Sequence, residues 1–225
     1  REDWPRGFIS GAVGMALYFT VENLGTGLTS ASFSSLIMAT VPVFGMIGDR
    51  IFFGRKITVL KVGCVVASIV GVYLLVSGEP MGVNLKGTLV MLAAALLWTF
   101  YITYVKPLYD KYDLLTLLTG LFVAGTIVEV PLAIFTPDPM INFTPMGVVV
   151  TVATALICII IGEFGYVYAI GKLSITMVSI FENVLPLTAV LFSLILFGTM
   201  LSGMQLIGGA IIMGAVTVLA LKEES

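Results

Sequence analysis

The sequence has no histidine and only two cysteines, Cys64 and Cys158, among its 225 residues. Without histidine, nothing resembles a metal-ligand cluster, and the usual pairs of nucleophile and base cannot be assembled. The cysteines lie in separate apolar runs without CxxC spacing, which is typical of small buried side chains and not of a redox motif. Only 11% of the residues are charged and the net charge is −2, which argues against nucleic acid as a ligand.

Hydrophobic residues, in contrast, make up 59% of the chain, which favours a membrane protein with several spans over a soluble domain. Most of the apolar runs approach the roughly 20 residues that a helix needs to cross a bilayer. The sequence therefore predicts an all-α membrane protein with eight transmembrane helices. The eight runs are Gly7–Leu24, Ala31–Phe53, Ile57–Val76, Gly87–Val105, Leu114–Phe135, Gly147–Ile170, Ile175–Phe197 and Leu206–Leu221.

Lysine and arginine are concentrated in alternate connections between these runs. If the first run leads outward, all basic residues except Lys86 lie on the cytoplasmic side. This bias predicts an even number of crossings in the cell membrane, with both termini in the cytoplasm. The chain begins with Arg1 and without the regions of a signal peptide, which is typical of a chain that starts partway through a longer protein.

Two of the runs share a pattern of serine, proline and glycine, which indicates an internal repeat. The charge bias gives the two copies opposite orientations, and an inverted repeat is typical of transporters that work by alternating access. Symmetry left by gene duplication in a protein that transports nothing is the alternative. The matching positions are Ser30, Ser35, Pro42, Phe53 and Gly54 in one copy and Ser174, Ser179, Pro186, Phe197 and Gly198 in the other.

Three regions resemble a known family: TSASFSSLIMATVPVFGMIGDRIFFG at 29–54 with the helix after it, LLWTFYITYVKPL at 96–108, and residues 174–221. They are similar to the EamA-like transporter family of the drug/metabolite transporter superfamily, whose members contain two inverted five-helix repeats. The resemblance implies helices three to ten of a ten-helix fold. Residues 1–78 would then be the remaining three helices of the first repeat, and residues 79–225 the second repeat.

The resemblance has two departures, because Arg55 and Thr199 stand where the family often has a glutamate. Roles tied to that glutamate are therefore not carried over. What the resemblance implies is a transporter of small organic metabolites or drugs, with export as the expected direction.

Four glutamates lie inside apolar runs, with no lysine or arginine at the same depth. Glu163 and Glu182 lie on the cytoplasmic side of their helix midpoints, and Glu22 and Glu129 on the outer side. Such carboxyls must be protonated, face water or bind a cation, so we predict a proton-coupling or substrate-cation site at Glu163 and Glu182. The alternatives are a protonated glutamate that is hydrogen-bonded within the helix bundle and a side chain that reaches the interface, which for Glu22 and Glu129 is the outer one.

Serine, asparagine and proline accompany Glu182. Ser179 lies one turn before it, Asn183 follows it, and Pro186 leaves the carbonyl of Glu182 without its helical donor. We predict that these four residues form one polar face that binds substrate or protons.

The first run carries a second stripe, formed by Gly11, Met15, Tyr18 and Glu22, with Asn23 adjacent. Tyr18, Glu22 and Asn23 are predicted to line the same site. The alternative is that the glycines of this run only admit a neighbouring helix.

Two aromatic residues complete the predicted site. Trp98 and Tyr101 lie one turn apart, and their ring faces could hold an apolar or cationic substrate. Separately, the spacing of Gly63, Ala67 and Gly71 is typical of close helix packing, either within the bundle or between the subunits of a homodimer.

The sequence therefore predicts a transporter that exports small organic metabolites or drugs by alternating access, with proton coupling as a hypothesis. Its partners would be a small-molecule substrate, protons and the lipid bilayer, with no cofactor and no metal. Two alternatives are open. One is an uncoupled facilitator of amino acids or cationic metabolites, and the other is a non-transporting scaffold or intramembrane enzyme.

Overall fold

The computed structural model describes residues 3–77, 82–135, 144–197 and 202–223, and within them every regular element is helical. A 3₁₀ turn, Lys106–Leu108, follows the sixth α-helix. The α-helices are α1 (Trp4–Gly11), α2 (Tyr18–Leu28), α3 (Ala31–Met38), α4 (Val41–Phe53), α5 (Val59–Val76), α6 (Leu85–Val105), α7 (Leu114–Phe135), α8 (Pro145–Thr154), α9 (Phe164–Lys172), α10 (Ile175–Glu182), α11 (Leu185–Phe197) and α12 (Gly203–Glu223).

Six helical stretches of the described chain are long and apolar enough to cross a membrane, which confirms an all-helical protein with several spans. Many large apolar side chains on them are exposed, as a lipid-facing surface requires; Val59 is 92% exposed and Leu85 75%. The stretches are Ala31–Phe53, Val59–Val76, Leu85–Leu108, Leu114–Leu132, Ile175–Phe192 and Gly203–Lys222.

The other two predicted runs are also helical, but each contains a π-helical segment. Ala12–Leu17 joins α1 to α2, and Ala155–Glu163 joins α8 to α9. A π segment widens the helical turn, so residues before and after it no longer follow one α-helical face. The predicted stripe from Gly11 to Glu22 is therefore wrong as a single continuous face. The count of eight crossings and the side of each terminus stay predictions.

Two of the predicted runs, Ala31–Phe53 and Ile175–Phe197, are helices with a break near the middle. Gly198 of the repeat pattern lies outside the described residues. α10 ends at Glu182 and α11 begins at Leu185, while α3 ends at Met38 and α4 begins at Val41. A proline is the second residue after each break, and its ring lacks an N–H and clashes with the carbonyl four residues earlier.

The turns before the prolines are closed by hydrogen bonds that span three residues, as in a 3₁₀-helix, instead of the four of an α-helix. The N–H groups of Asn183 and Val184 donate to the carbonyls three residues earlier, at 3.2 and 3.0 Å. In the other break, the N–H of Thr40 donates to the Ile37 carbonyl at 2.9 Å. These bonds tighten the last turn of each half-helix, and the next half-helix begins directly after the turn.

Short polar side chains cap the starts of several helices. The Ser30 hydroxyl accepts the Phe33 N–H at 3.2 Å, and the Ser174 hydroxyl accepts the Met177 N–H at 3.0 Å. Each bond satisfies one of the N–H groups that an α-helix leaves without a partner in its first turn. The half-helices α3 and α10 therefore both start at a serine.

The chain forms two compact units. The first consists of Arg1–Leu17 and Tyr104–Leu173. In it, α1 and the following π segment pack on α7, where Gly11 lies against the backbone of Leu121 and a Cβ on Gly125 would meet Met15. Gly11 thus serves helix packing in this unit, as the alternative interpretation of the stripe predicted for it, whereas a Cβ on Gly7 would meet nothing within 4 Å.

The second unit consists of Tyr18–Thr103 and Ser174–Ser225. Its largest contact is between α5 and α12, where Gly71 and Gly208 let the backbones approach closely. α4 packs on α10 through Gly45, which faces Ile175 and Ser179. This unit contains both broken helices.

Candidate substrate-binding cavity

A cavity of about 410 Å³ opens within the second unit, beside both helix breaks. Its volume lies within the range of sites for small organic ligands. Four separate stretches of the chain supply its wall. The lining residues are Tyr18, Glu22 and Thr26 of α2, Ala31, Ser34, Ser35, Met38 and Ala39 of α3 and its break, Trp98 of α6, and Glu182, Asn183, Leu185 and Pro186 of α10, its break and α11.

Helical spacing explains why α2 contributes the residues that it does. Tyr18, Glu22 and Thr26 recur every four residues, so they form one row along a single face. Within that row the Tyr18 hydroxyl lies close enough to the Glu22 carboxyl to interact with it. The second half of the predicted stripe therefore does line a cavity, although its first half packs in the other unit.

Glu182 and Trp98 are joined directly across the cavity wall. The indole Nε1–H of Trp98 donates to Oε1 of Glu182 at 2.6 Å, although the two residues lie 84 positions apart. An indole N–H can only donate, so the carboxyl oxygen is the acceptor. The bond fixes the half-buried carboxyl beside an aromatic ring.

Trp98 is in turn held by a group of aromatic rings. Its ring centroid lies 4.4 Å from that of Tyr18, 5.1 Å from that of Tyr101 and 6.4 Å from that of Phe19. Tyr101 is fully buried and is not among the cavity-lining residues. The predicted aromatic pair is therefore real as a contact, with Trp98 at the cavity and Tyr101 behind it.

Asn183 connects the two helix breaks. Its side-chain amide donates to the Ser68 hydroxyl at 2.9 Å and to the Ala39 carbonyl at 3.4 Å, and the residue is 3% exposed. Ala39 belongs to the break between α3 and α4, so one side chain from the second break reaches the backbone of the first. Polar groups buried in this way require such partners.

Ser179 does not line the cavity. It is fully buried, and its hydroxyl oxygen would lie 3.1 Å from a Cβ on Gly45. The predicted polar face is therefore divided: Glu182, Asn183 and Pro186 line the cavity, while Ser179 lies in the contact between α4 and α10. Asn23 follows Glu22 in the chain but is exposed, and it is also not a lining residue.

Glu163 belongs to the first unit, whereas Glu182 belongs to the second. The Oε2 atom of Glu163 is buried and has no hydrogen-bond partner among the described residues. Tyr109, just after the 3₁₀ turn, is close enough that burial and the Glu163 charge both raise the pKa of its phenol. The Glu163 carboxyl therefore lies near the Tyr109 phenol in the first unit, and Glu163 does not line the cavity.

Asp49 is a buried polar residue that the sequence analysis missed. Its carboxylate accepts hydrogen bonds from the N–H groups of Ile175 and Thr176 at 3.3 and 2.9 Å, at the start of α10. Negative charge at a helix N-terminus is stabilised by the helix dipole and by the N–H groups that lack helical partners. An acidic residue inside an apolar run was the signal that could have revealed it.

Known proteins resemble this chain along most of its length. The sequence matches the EamA-like transporter family over residues 1–77 and 85–221. An uncharacterized transporter of Archaeoglobus fulgidus is 27% identical over 84% of this chain, and the uncharacterized transporter YdfC of Bacillus subtilis is 26% identical over 85%. A probable terminal-alkyne amino-acid exporter of Streptantibioticus cattleyicolor is 27% identical over 77%.

These relatives are longer than the chain, because the matched parts cover 68%, 63% and 58% of their respective lengths. A solved structure described only as "Crystal structure of protein" superposes with a TM-score of 0.83 at 16% identity, over 98% of this chain and 79% of that one. The fold is thus shared with a longer protein of known structure. The resemblance seen in the sequence is confirmed: the chain belongs to the EamA-like transporter family and is a membrane transporter, not an enzyme.

Proposed function

We propose that this protein exports small organic metabolites or drugs by alternating access, with the cavity at the two helix breaks as its substrate site. The observation that carries the proposal is the position of the cavity, since Met38 and Ala39 line it at one break and Glu182, Asn183 and Pro186 at the other. Transporters commonly bind substrate where spanning helices are interrupted, because unwound backbone supplies polar groups in a dry surrounding.

Two near-equivalent broken helices also support alternating access. If the two copies are related by inversion, as the sequence predicts, the same packing can form toward either side of the membrane around one site. Asn183 is placed to couple the two halves, because it bonds to the Ala39 carbonyl in the opposite break. A movement of one half-helix would then displace the other through this bond.

Proton coupling is assigned to Glu182 or Glu163. Glu182 lines the cavity, and none of the described lining residues is a lysine or arginine that could neutralise its carboxyl permanently. Glu163 has a buried oxygen without a hydrogen-bond partner among the described residues. A carboxyl in either position can be neutralised by a proton, which is how intramembrane acids relay protons in transporters.

The test is efflux from proteoliposomes of the purified chain, loaded with labelled acidic, neutral and amine-bearing organic compounds, amino acids included. We expect at least one compound to leave faster than from protein-free liposomes, and faster still when a pH gradient is imposed. Glu182→Gln or Glu163→Gln should remove the pH dependence, because glutamine cannot carry a proton. Glu129→Gln is the matched control, since it changes a half-buried glutamate of α7 that does not line the cavity.

Two results would contradict the proposal. Efflux no faster than from protein-free liposomes for every compound would remove the transport function of this chain. Unchanged efflux with an unchanged pH profile in both glutamine variants would remove these carboxyls from the coupling.

The second candidate is an uncoupled facilitator of amino acids. One relative, the probable terminal-alkyne amino-acid exporter, favours amino acids as the substrates of this candidate. In this case amino acids would equilibrate across the vesicle membrane at a rate that does not change when the pH gradient is collapsed. The same assay with and without the gradient separates the two candidates.

A further inference from the structure

We propose that the cavity selects substrates that carry a protonated amine, and that Glu182, held by Trp98, is the residue that recognises it. This inference rests on the proposed function, because it names the substrate class of the same cavity.

The first step is the charge of the cavity wall. Glu22 and Glu182 both line it, and none of the described lining residues is basic. Removing a carboxylate from water is expensive unless an opposite charge or several hydrogen bonds accompany it. A bound organic cation would supply the opposite charge that the wall itself lacks.

The second step is the way in which Glu182 is oriented. The 2.6 Å bond from the Trp98 indole is a donor contact, and a carboxylate with one oxygen fixed can still accept from an ammonium group. Trp98 itself packs against Tyr18 and Tyr101, so its position is set by neighbouring rings. The acceptor is therefore held in place before a ligand arrives, which lowers the entropic cost of binding.

The third step is the surroundings of that acceptor. The rings of Tyr18 and Trp98 line the cavity beside the carboxylate, and the negative faces of aromatic rings attract cations within about 6 Å. Met38, Leu185 and Pro186 supply an apolar wall nearby. An amine attached to an apolar body satisfies both parts of the lining, whereas an anion would meet two carboxyls.

The test is ligand binding to the purified chain in lipid nanodiscs near neutral pH, measured by calorimetry. The probes are benzylamine, 2-phenylethylamine and tryptamine, each paired with its N-acetyl derivative, which keeps the aromatic body, adds a small acetyl group and loses the positive charge. We expect at least one amine to bind at least tenfold more tightly than its acetylated partner. Glu182→Gln should weaken amine binding at least tenfold and change the binding of the acetylated compound little.

Two further variants sharpen the assignment. Trp98→Phe keeps a ring and removes the indole donor, so we expect a loss of amine affinity smaller than that of Glu182→Gln. Glu129→Gln, outside the cavity lining, should bind the amines as the wild type does. The comparison between an amine and its acetyl derivative on unaltered protein keeps the test valid even if a variant folds poorly.

The inference is overturned if no amine binds, if acetylated and free amines bind equally, or if folded Glu182→Gln binds the amines as tightly as the wild type. Its failure can be separated from failure of the proposed function. Efflux of neutral compounds without amine binding would leave the exporter and remove amine selection. Amine binding with the expected pattern, but no efflux of any compound, would keep the amine site and remove the exporter.

Discussion

The side-chain carboxylate of Asp49 accepts two hydrogen bonds from Thr176, one from its backbone N–H at 2.9 Å and one from its hydroxyl at 2.6 Å. Asp49 lies in α4 and is only 2% exposed, while Thr176 lies in the first turn of α10. A buried carboxylate is tolerated when donors surround it, and here the start of a helix supplies them. A residue of α4, in the first broken helix, thus fixes the start of α10, in the second broken helix.

The first prediction tests that bond. Asp49→Asn keeps the size of the side chain and removes both its charge and one acceptor oxygen. We expect the free energy of unfolding to fall by about 1–3 kcal/mol, the range for a buried donor that loses its partner. Chemical denaturation in detergent, followed by circular dichroism, measures the change.

Thr176→Val is the matched variant, because it removes only the hydroxyl donor and leaves the backbone N–H bond to Asp49. It should cost less than Asp49→Asn. If Asp49→Asn unfolds at the same denaturant concentration as the wild type, the carboxylate does not hold the start of α10.

The second prediction concerns the bond between Asn183 and Ser68, at 2.9 Å. Asn183→Ala and Ser68→Ala should each destabilise the protein, and the double variant should lose less than the sum, because both remove the same interaction. We expect a coupling energy of roughly 0.5–1.5 kcal/mol, as for a typical intramolecular hydrogen bond. Strict additivity in this double-mutant cycle would show that the two side chains do not act together.

Much of this architecture could be predicted from local sequence. The apolar runs predicted the long helices, since an element that crosses lipid must be both apolar and continuous in its hydrogen bonds. Pro186 was expected to leave the Glu182 carbonyl without its helical donor, and the repeat placed Pro42 at the matching position of the other copy. The sequence did not predict that each helix would break completely. Each break depends on the turn before the proline, and hydrophobicity carries no information about that turn.

The cavity could be predicted only in part, because its members come from distant positions. Glu182, Trp98 and Tyr18 are each polar or aromatic residues inside an apolar run, which made them candidates. No local pattern, however, predicts that Trp98 and Glu182, 84 positions apart, are in contact. The π segment before Tyr18 shifts the helical phase, so periodicity alone could not separate packing from lining. The partners of Asp49 could not be predicted, because they lie in the first turn of α10, at least 126 positions away, and two of the three donors are backbone N–H groups, which have no sequence signature.

The third prediction concerns the close contact between α5 and α12. A Cβ on Gly208 would lie 2.6 Å from the Gly71 carbonyl oxygen and 2.8 Å from the Leu75 nitrogen, both of them backbone atoms that cannot turn away. Gly208→Ala should therefore push the helices apart and cost about 1–3 kcal/mol of stability, the usual range for overpacking. The melting temperature of the purified protein in detergent measures the loss.

Gly63→Ala is the control for this substitution, because Gly63 lies on α5, the helix that packs against Gly208, and a Cβ there meets nothing within 4 Å. Alanine is also a better helix former than glycine, so this variant should melt no lower than the wild type. Equal effects of Gly63→Ala and Gly208→Ala would contradict a specific contact at Gly208.

The fourth prediction is a pH dependence at the start of α7, outside the membrane-spanning segments. The Asp113 carboxylate accepts the Thr116 N–H at 2.9 Å, and this backbone bond lowers the pKa of Asp113 below its ordinary value of 3.8. A carboxyl whose folded pKa is depressed contributes stability above its unfolded pKa and loses it as the pH falls through the folded pKa. The cap should therefore be intact near neutral pH and weaken only below about pH 4.

Asp113→Asn provides the comparison, because asparagine caps a helix about as well as aspartate but does not titrate over this range. Hydrogen exchange of the Thr116 amide, referred at each pH to its intrinsic rate, should show protection that falls with acid in the wild type and stays constant in the variant. The cause would then be the Asp113 carboxyl and not acid unfolding of the whole chain, which would affect both proteins. Parallel loss of protection in the two would assign the acid sensitivity to other groups, such as Asp3, whose pKa is lowered by its bond to Lys111.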